Sequence, residues 1–190
     1  VHGMHWCSLN DHMLRIFGLD AEQVGKGGVL IADVAKDGFA FNGTPGAGLQ
    51  KDDVLTCIYI PDLYASARAL DPATYMDHSF DCKQFQAQSG ARAICAKFDR
   101  HGQISAFKTP FPRTSQDHVD ICKTSFSPTQ QIQAGRKMTL VEVLDVIPMG
   151  CIVHFVVWRK GHTAPQLVRC RYTPSPLNRI PETYWNWHAL

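Results

Sequence analysis

The sequence predicts a mainly β fold, a small and partly open barrel or sandwich with two short helices covering its open ends. Three observations predict it. Apolar, β-branched runs such as "GGVLIADVA" and "DVLTCIYI" follow glycine- or aspartate-rich turns. Two longer stretches, "ARAICAKFDRHGQISAFKTPF" and "IVHFVVWRKGHTAPQLVRCRYTP", each place two apolar arms around a glycine, the pattern of a hairpin. Helical periodicity is confined to two segments.

In chain order, "DHMLRIFGLD" comes first, with Met13, Leu14, Ile16 and Phe17 at helical spacing, Asp11 able to cap its start and Gly18 placed to end it. The strand "GGVLIADVA" follows. Next, "GAGLQKDDVLTCI" (46–58) sets Gly46 and Gly48 in a tight turn, and Asp52 and Asp53 can hydrogen-bond backbone N–H groups before Val54 enters the sheet. The hairpins reverse at Arg100-His101-Gly102 and Arg159-Lys160-Gly161. Between them, "KMTLVEVLDVIPMG" carries Leu140, Leu144 and Ile147 at i, i+4, i+7 with Pro148 and Gly150 as stops, which predicts the second helix. The proline-rich tail, with Trp185 and Trp187, reads as an extended strap over 176–190 that covers the domain's own core or anchors a partner.

At 190 residues the chain can hold one large domain or two small ones, and 45% hydrophobic content is ordinary for a globular core. A formal net charge of +2 from scattered basic residues argues against nucleic acid as a partner. No apolar run approaches the ~18 residues that span a bilayer, and nothing reads as a signal peptide, so a soluble protein without a membrane span is expected. Cys7, Cys57, Cys82, Cys95, Cys122, Cys151 and Cys170 are odd in number, far apart and mostly inside strand-like runs. They are expected as buried reduced thiols, which prefers a reducing compartment, cytosol or organelle interior.

Chemistry-bearing motifs are sparse. The His2-x-x-His5 pair has no Cys or acid following at ligand spacing, there is no C-x-x-C pair, and no serine sits in a Gly-x-Ser-x-Gly or Gly-Asn/Asp-Ser-Gly-Gly context. The expectation is no metal, no cofactor, no catalytic residue and no peptidase activity.

Taken together, "VHGM" at the start, "LNDHMLRIFGL" at 9–19, "GGVLIADV" at 27–34, "GLQKDDVL" at 48–55, "TLVEVLDVIPMGCIVHFVVWRKG" at 139–161 and "PQLVRC" at 165–170 form an ordered series. In order and spacing it resembles the PDZ domains of HtrA/Deg-type serine proteases. The resemblance implies a PDZ-like domain over 1–60 plus 134–175, with one core containing both Val54 and Leu140. The residues 61–133 would then be an inserted β-hairpin module projecting as a separate lobe, or the start of a second, truncated PDZ-like unit over 61–175.

The resemblance also implies a function, the capture of a C-terminal or extended peptide by β-augmentation. The ligand's carboxylate would sit in a nest of N–H groups on Val1, His2, Gly3 and Met4, and the strand Met4–Ser8 would pair with the peptide. His5 and Trp6 alternate across that strand. On the second helix Leu140, Leu144 and Ile147 would face the core, while Thr139, Val143 and Val146 would be offset toward the groove. Gly3→Val is expected to weaken binding while leaving the fold intact, because the site is terminal.

Two departures stand out. Val1 and His2 replace an aromatic and an aliphatic residue, and Asp52-Asp53 replaces Gly-Asp, a change compatible with the fold if that position avoids positive φ. Two functions follow. One is a regulatory or substrate-recognition module of an HtrA/Deg-type protease whose catalytic domain would precede Val1. The other is a non-catalytic structural subunit or scaffold, its groove filled by its own tail or insertion.

Overall fold

The strand Val54–Pro61 organises the structure, because nearly every residue in it is buried and both of its edges are paired. The computed structural model describes residues 3–19, 24, 27–41, 46–62, 92–112, 114, 117, 136–145, 147 and 151–172. Within them lie β1 (Met4–Ser8), α1 (Asp11–Ile16), β2 (Val29–Val34), a 3-10 turn (Phe39–Phe41), β3 (Val54–Pro61), β4 (Arg92–Phe98), β5 (Ile104–Pro110), α2 (Leu140–Asp145), β6 (Ile152–Trp158) and β7 (Gln166–Arg171). Among the described residues the fold is mainly β, with two short α-helices, as the sequence predicts. The seven strands described form one antiparallel sheet that does not close.

Register explains the layout. β6 pairs with β3 from Val54 to Tyr59 along one edge. On the other edge β2 pairs with Val54 and Leu55, and β4 pairs with the stretch from Cys57 to Pro61. The ladder between β3 and β6 slips at Thr56, a bulge that shifts the phase of side-chain alternation by one residue, and the Thr56 hydroxyl donates to the carbonyl of Val156 at 3.2 Å. Leu55, Ile58 and Ile60 therefore share one face with Val29, Ile31, Ala96, Ile104, Leu140, Leu144, Val153 and Phe155 in the main core. Val54, Cys57 and Tyr59 turn to the other face.

Local signals set the helix ends. α1 is capped by Asn10, whose side chain accepts from the Met13 N–H at 2.9 Å, with Asp11 in the first turn. Gly18 closes it at φ +67, its N–H donating to Arg15 and that of Leu19 to Leu14, the paired bonds of a Schellman end. Only Leu14 of this helix is buried, and Ile16 is 60% exposed. α2 begins with a capping box, since the Thr139 N–H donates to the Glu142 carboxylate at 2.7 Å and the Glu142 N–H donates to the Thr139 hydroxyl at 3.3 Å.

Two expectations about domains are corrected. The hairpin of β4 and β5 is no separate lobe. β4 joins β3 directly, and Ala96, Phe98 and Ile104 belong to the same core as Leu140. Gly27 shows how tight the fit is, because a Cβ there would lie 2.3 Å from the Phe98 carbonyl oxygen. Nor do Val54 and Leu140 share a core, since the bulge at Thr56 puts Val54 on the face opposite Ile58 and Ile60, in a smaller cluster with Leu14, Leu19, Val24 and Leu30. All described strands lie in one sheet. Most of the remainder of 61–133 and the whole strap 176–190 lie outside the described residues.

The cysteines also depart in part from expectation. Cys7, Cys57, Cys95 and Cys170 are reduced thiols, but Cys151 is disulfide-bonded. A preference for a reducing compartment does not follow. No helix among the described residues is long and apolar enough to cross a membrane.

Candidate functional site

The candidate ligand edge is the outer side of β1. This strand pairs with β2 along one edge, from Met4 opposite Val34 to Ser8 opposite Val29, and among the described residues no strand occupies the other. A register slip between His5 and Trp6 leaves Ala32 unopposed on β2, which sharpens the local twist.

Gly3 opens the strand at φ +69, a left-handed conformation that suits glycine. Its carbonyl accepts from the Ala35 N–H at 2.8 Å, and a Cβ on it would stand 2.9 Å from the Cα of Gly38. Gly3 is therefore required by the backbone itself, because the turn at residues 35–38 crosses it with no room for a side chain. This corrects the expectation that Gly3→Val would spare the fold.

The other candidates separate by role. Met4 is buried in the main core, Trp6 is half-buried against it, and His5 is exposed and faces Asp33 in the register. On α2, Leu140 and Leu144 are buried, as is Ile147 just beyond the helix, as expected. Val143, expected toward the groove, is 1% exposed and belongs to the main core. The signal was in the sequence, since Val143 lies at i+3 from Leu140 and so within the apolar stripe. Thr139 is exposed but serves the capping box. The apolar residue that α2 does present to solvent is Val141, 44% exposed. Val1, His2 and Val146 lie outside the described residues.

Behind this edge, the turn at 46–53 is held by a buried ion pair. Arg159, at the end of β6, donates from Nε to Oδ1 of Asp53 and from Nη2 to Oδ2, both at 2.8 Å, and Nη2 also reaches the Gly48 carbonyl at 3.2 Å. The Gln50 N–H adds a bond to Oδ2 at 2.8 Å. The hydrogen bonds that the guanidinium donates to Asp53 raise Arg159 above its ordinary pKa, against the opposing effect of burial. Gly48 is needed because a Cβ there would fall 2.1 Å from the Ala40 carbonyl oxygen. Asp52 sits at φ 71, so the aspartate found in place of glycine does occupy a left-handed position. The purpose of "GAGLQKDDVLTCI" is thus architectural, fixing the approach of β2 and the 3-10 turn to β3.

Among the described residues no three His, Cys, Asp or Glu side chains cluster as a metal site. The surface carboxylates that are perturbed serve turns. Burial opposes ionisation of Asp99, but N–H donors from His101 and Gln103 together with Lys137 hold its pKa below the ordinary range. Glu142 is lowered by the Thr139 N–H, then by the Thr139 hydroxyl and Arg136. No protein-family model matches the chain, and no match was found among curated proteins or solved structures.

Proposed function

We propose that this chain captures an extended peptide with a free C-terminus along the outer edge of β1, as a PDZ-like recognition module of the kind that serves HtrA/Deg-type proteases. The observation that carries the reading is an edge that no strand occupies among the described residues, on a strand whose entry is fixed by a left-handed glycine. Main-chain pairing with Met4–Ser8 supplies the affinity, and N–H groups in the turn at Gly3 receive the carboxylate. Trp6, half-buried beside Met4, offers apolar surface to an alternate ligand side chain. The reading assigns no chemistry to the chain itself.

Titration of the intact chain against a library of C-terminal peptides tests it. An apolar last residue should give binding of about micromolar strength, ~8 kcal/mol. Amidating the terminus should cost about 1–3 kcal/mol, the loss of a charge-assisted acceptor. Equal binding of free and amidated peptides, or none, would favour the structural subunit instead. The burial of Val143, which narrows any groove beside α2, is the observation on that side.

A further inference from the structure

We infer that Cys57 and Cys95 form a disulfide site, two thiols placed to be joined across β3 and β4 by exchange with a low-molecular-weight disulfide as the chain folds. Their sulfurs lie 3.1 Å apart, one thiol donating to the other, and both side chains are buried. In the ladder Cys57 stands opposite Lys97 and Cys95 opposite Tyr59, so the two are diagonal neighbours on one face. A disulfide needs about 2.05 Å between sulfurs, so bonding requires the pair to close by about 1 Å. Tyr59, Ala93 and Val156 surround the pair, with Phe111 and Leu167 packed against the same cluster, an apolar setting that would shield the bond from reductants once made.

The other thiols mark the contrast. Burial pushes Cys170 up to about 12, and that thiol donates to the Ala40 carbonyl at 3.5 Å, so it stays protonated and inert. For Cys95, burial raises the pKa, but the hydrogen bond with Cys57, the charge of Lys97 and the hydrogen bond from Tyr59 outweigh it and leave the thiol below its ordinary value. Cys151 is disulfide-bonded, so oxidation is already part of this chain's chemistry.

The step balances as a two-stage exchange. The Cys95 thiolate attacks one sulfur of the small disulfide and expels a thiolate. The Cys57 thiolate then attacks the Cys95 sulfur in the mixed disulfide and expels the second. The two protons lost by the protein end on the two released thiols, and the small disulfide is the oxidant. Exchange belongs to folding, when β3 and β4 are still accessible, because the native cluster excludes the reagent. The product links the central strand to the hairpin of β4 and β5 across a separation of 38 positions, restricting the unfolded chain.

The test is to refold the full, reduced and denatured chain in oxidised glutathione, block remaining thiols by alkylation, and digest with trypsin without reduction. Cleavage after Lys51, Arg68, Arg92 and Lys97 isolates Cys57 in peptide 52–68 and Cys95 in peptide 93–97, each without another cysteine. The expected result is one species lighter than the sum of those peptides by two hydrogens, split into both by reductant. Recovery of the two peptides separately alkylated, or each joined to a different cysteine, would overturn the inference.

Discussion

Arg159 grips Asp53 across 106 positions of sequence, each carboxylate oxygen taking one guanidinium N–H at 2.8 Å. The Asp53 side chain is 0% exposed and that of Arg159 19%. β2, β3, β6 and the 3-10 turn meet around this pair, because β3 starts at Asp53's neighbour, β6 ends beside Arg159, the backbone of Asp53 accepts from Ile31 of β2 at 2.8 Å, and Leu49, next to Gly48, donates to Ala40 of the 3-10 turn at 2.7 Å. Removing one partner leaves the other charge with no counter-ion. Arg159→Ala should destabilise the chain by about 3 kcal/mol, near the lower end for a buried pair because the guanidinium keeps some solvent. Urea unfolding measures it, and a loss below about 1 kcal/mol would show the pair to be a surface contact in energetic terms.

Asp52→Gly should act in the opposite direction. An L-residue at φ 71 carries a left-handed penalty that glycine escapes, and the entropy glycine adds to the unfolded chain offsets only part of the gain. The expected stabilisation is about 0.5–1 kcal/mol. A destabilised variant would mean that the Asp52 side chain holds the turn.

If the hairpin of β4 and β5 is part of the main core, its packing must report on the whole fold. Ile104 and Leu144 sit in the same cluster. Ile104→Ala and Leu144→Ala should each cost about 2–5 kcal/mol within a single cooperative transition of unchanged denaturant slope. Two resolved transitions, with Ile104→Ala shifting only one, would restore a separate lobe.

Asp99 and Glu142 give the acid limb a defined sign. Both carboxylates are depressed in the folded state. The stability they contribute is complete above the ordinary carboxylate range and is lost as pH falls through their lowered folded-state values. Replacing both, Asp99→Asn with Glu142→Gln, should flatten thermal stability against pH in the acid range below about pH 4. An unchanged slope there would contradict the assigned hydrogen bonds.

Much of the fold was legible in local chemistry. Glycines at hairpin reversals, apolar runs and helical spacing marked six of the seven described strands and both described helices, because turn residues and periodicity act over a few residues. What escaped was long-range. Nothing in "ARAICAKF" tells that Phe98 would dock beside Gly27 and Ala96 join the main core, and the bulge at Thr56 that sends Val54 away from Leu140 is set by pairing with β6. At the candidate edge, the sequence draws attention to Gly3 as room for a carboxylate, whereas the structure gives it a backbone reason. Its nearest constraint is the backbone of Gly38, a contact between residues 35 positions apart whose partner glycine carries no periodicity of its own.

The central claim is that a peptide carboxyl terminus adds a strand at β1. The most direct measurement is amide hydrogen exchange of the intact chain by NMR, with and without a free C-terminal peptide that binds. Protection should rise in the stretch from Gly3 to Ser8, and the amidated peptide should protect it less at equal concentration. Protection confined to the β5 or β7 edge, or no change at β1, would contradict the account.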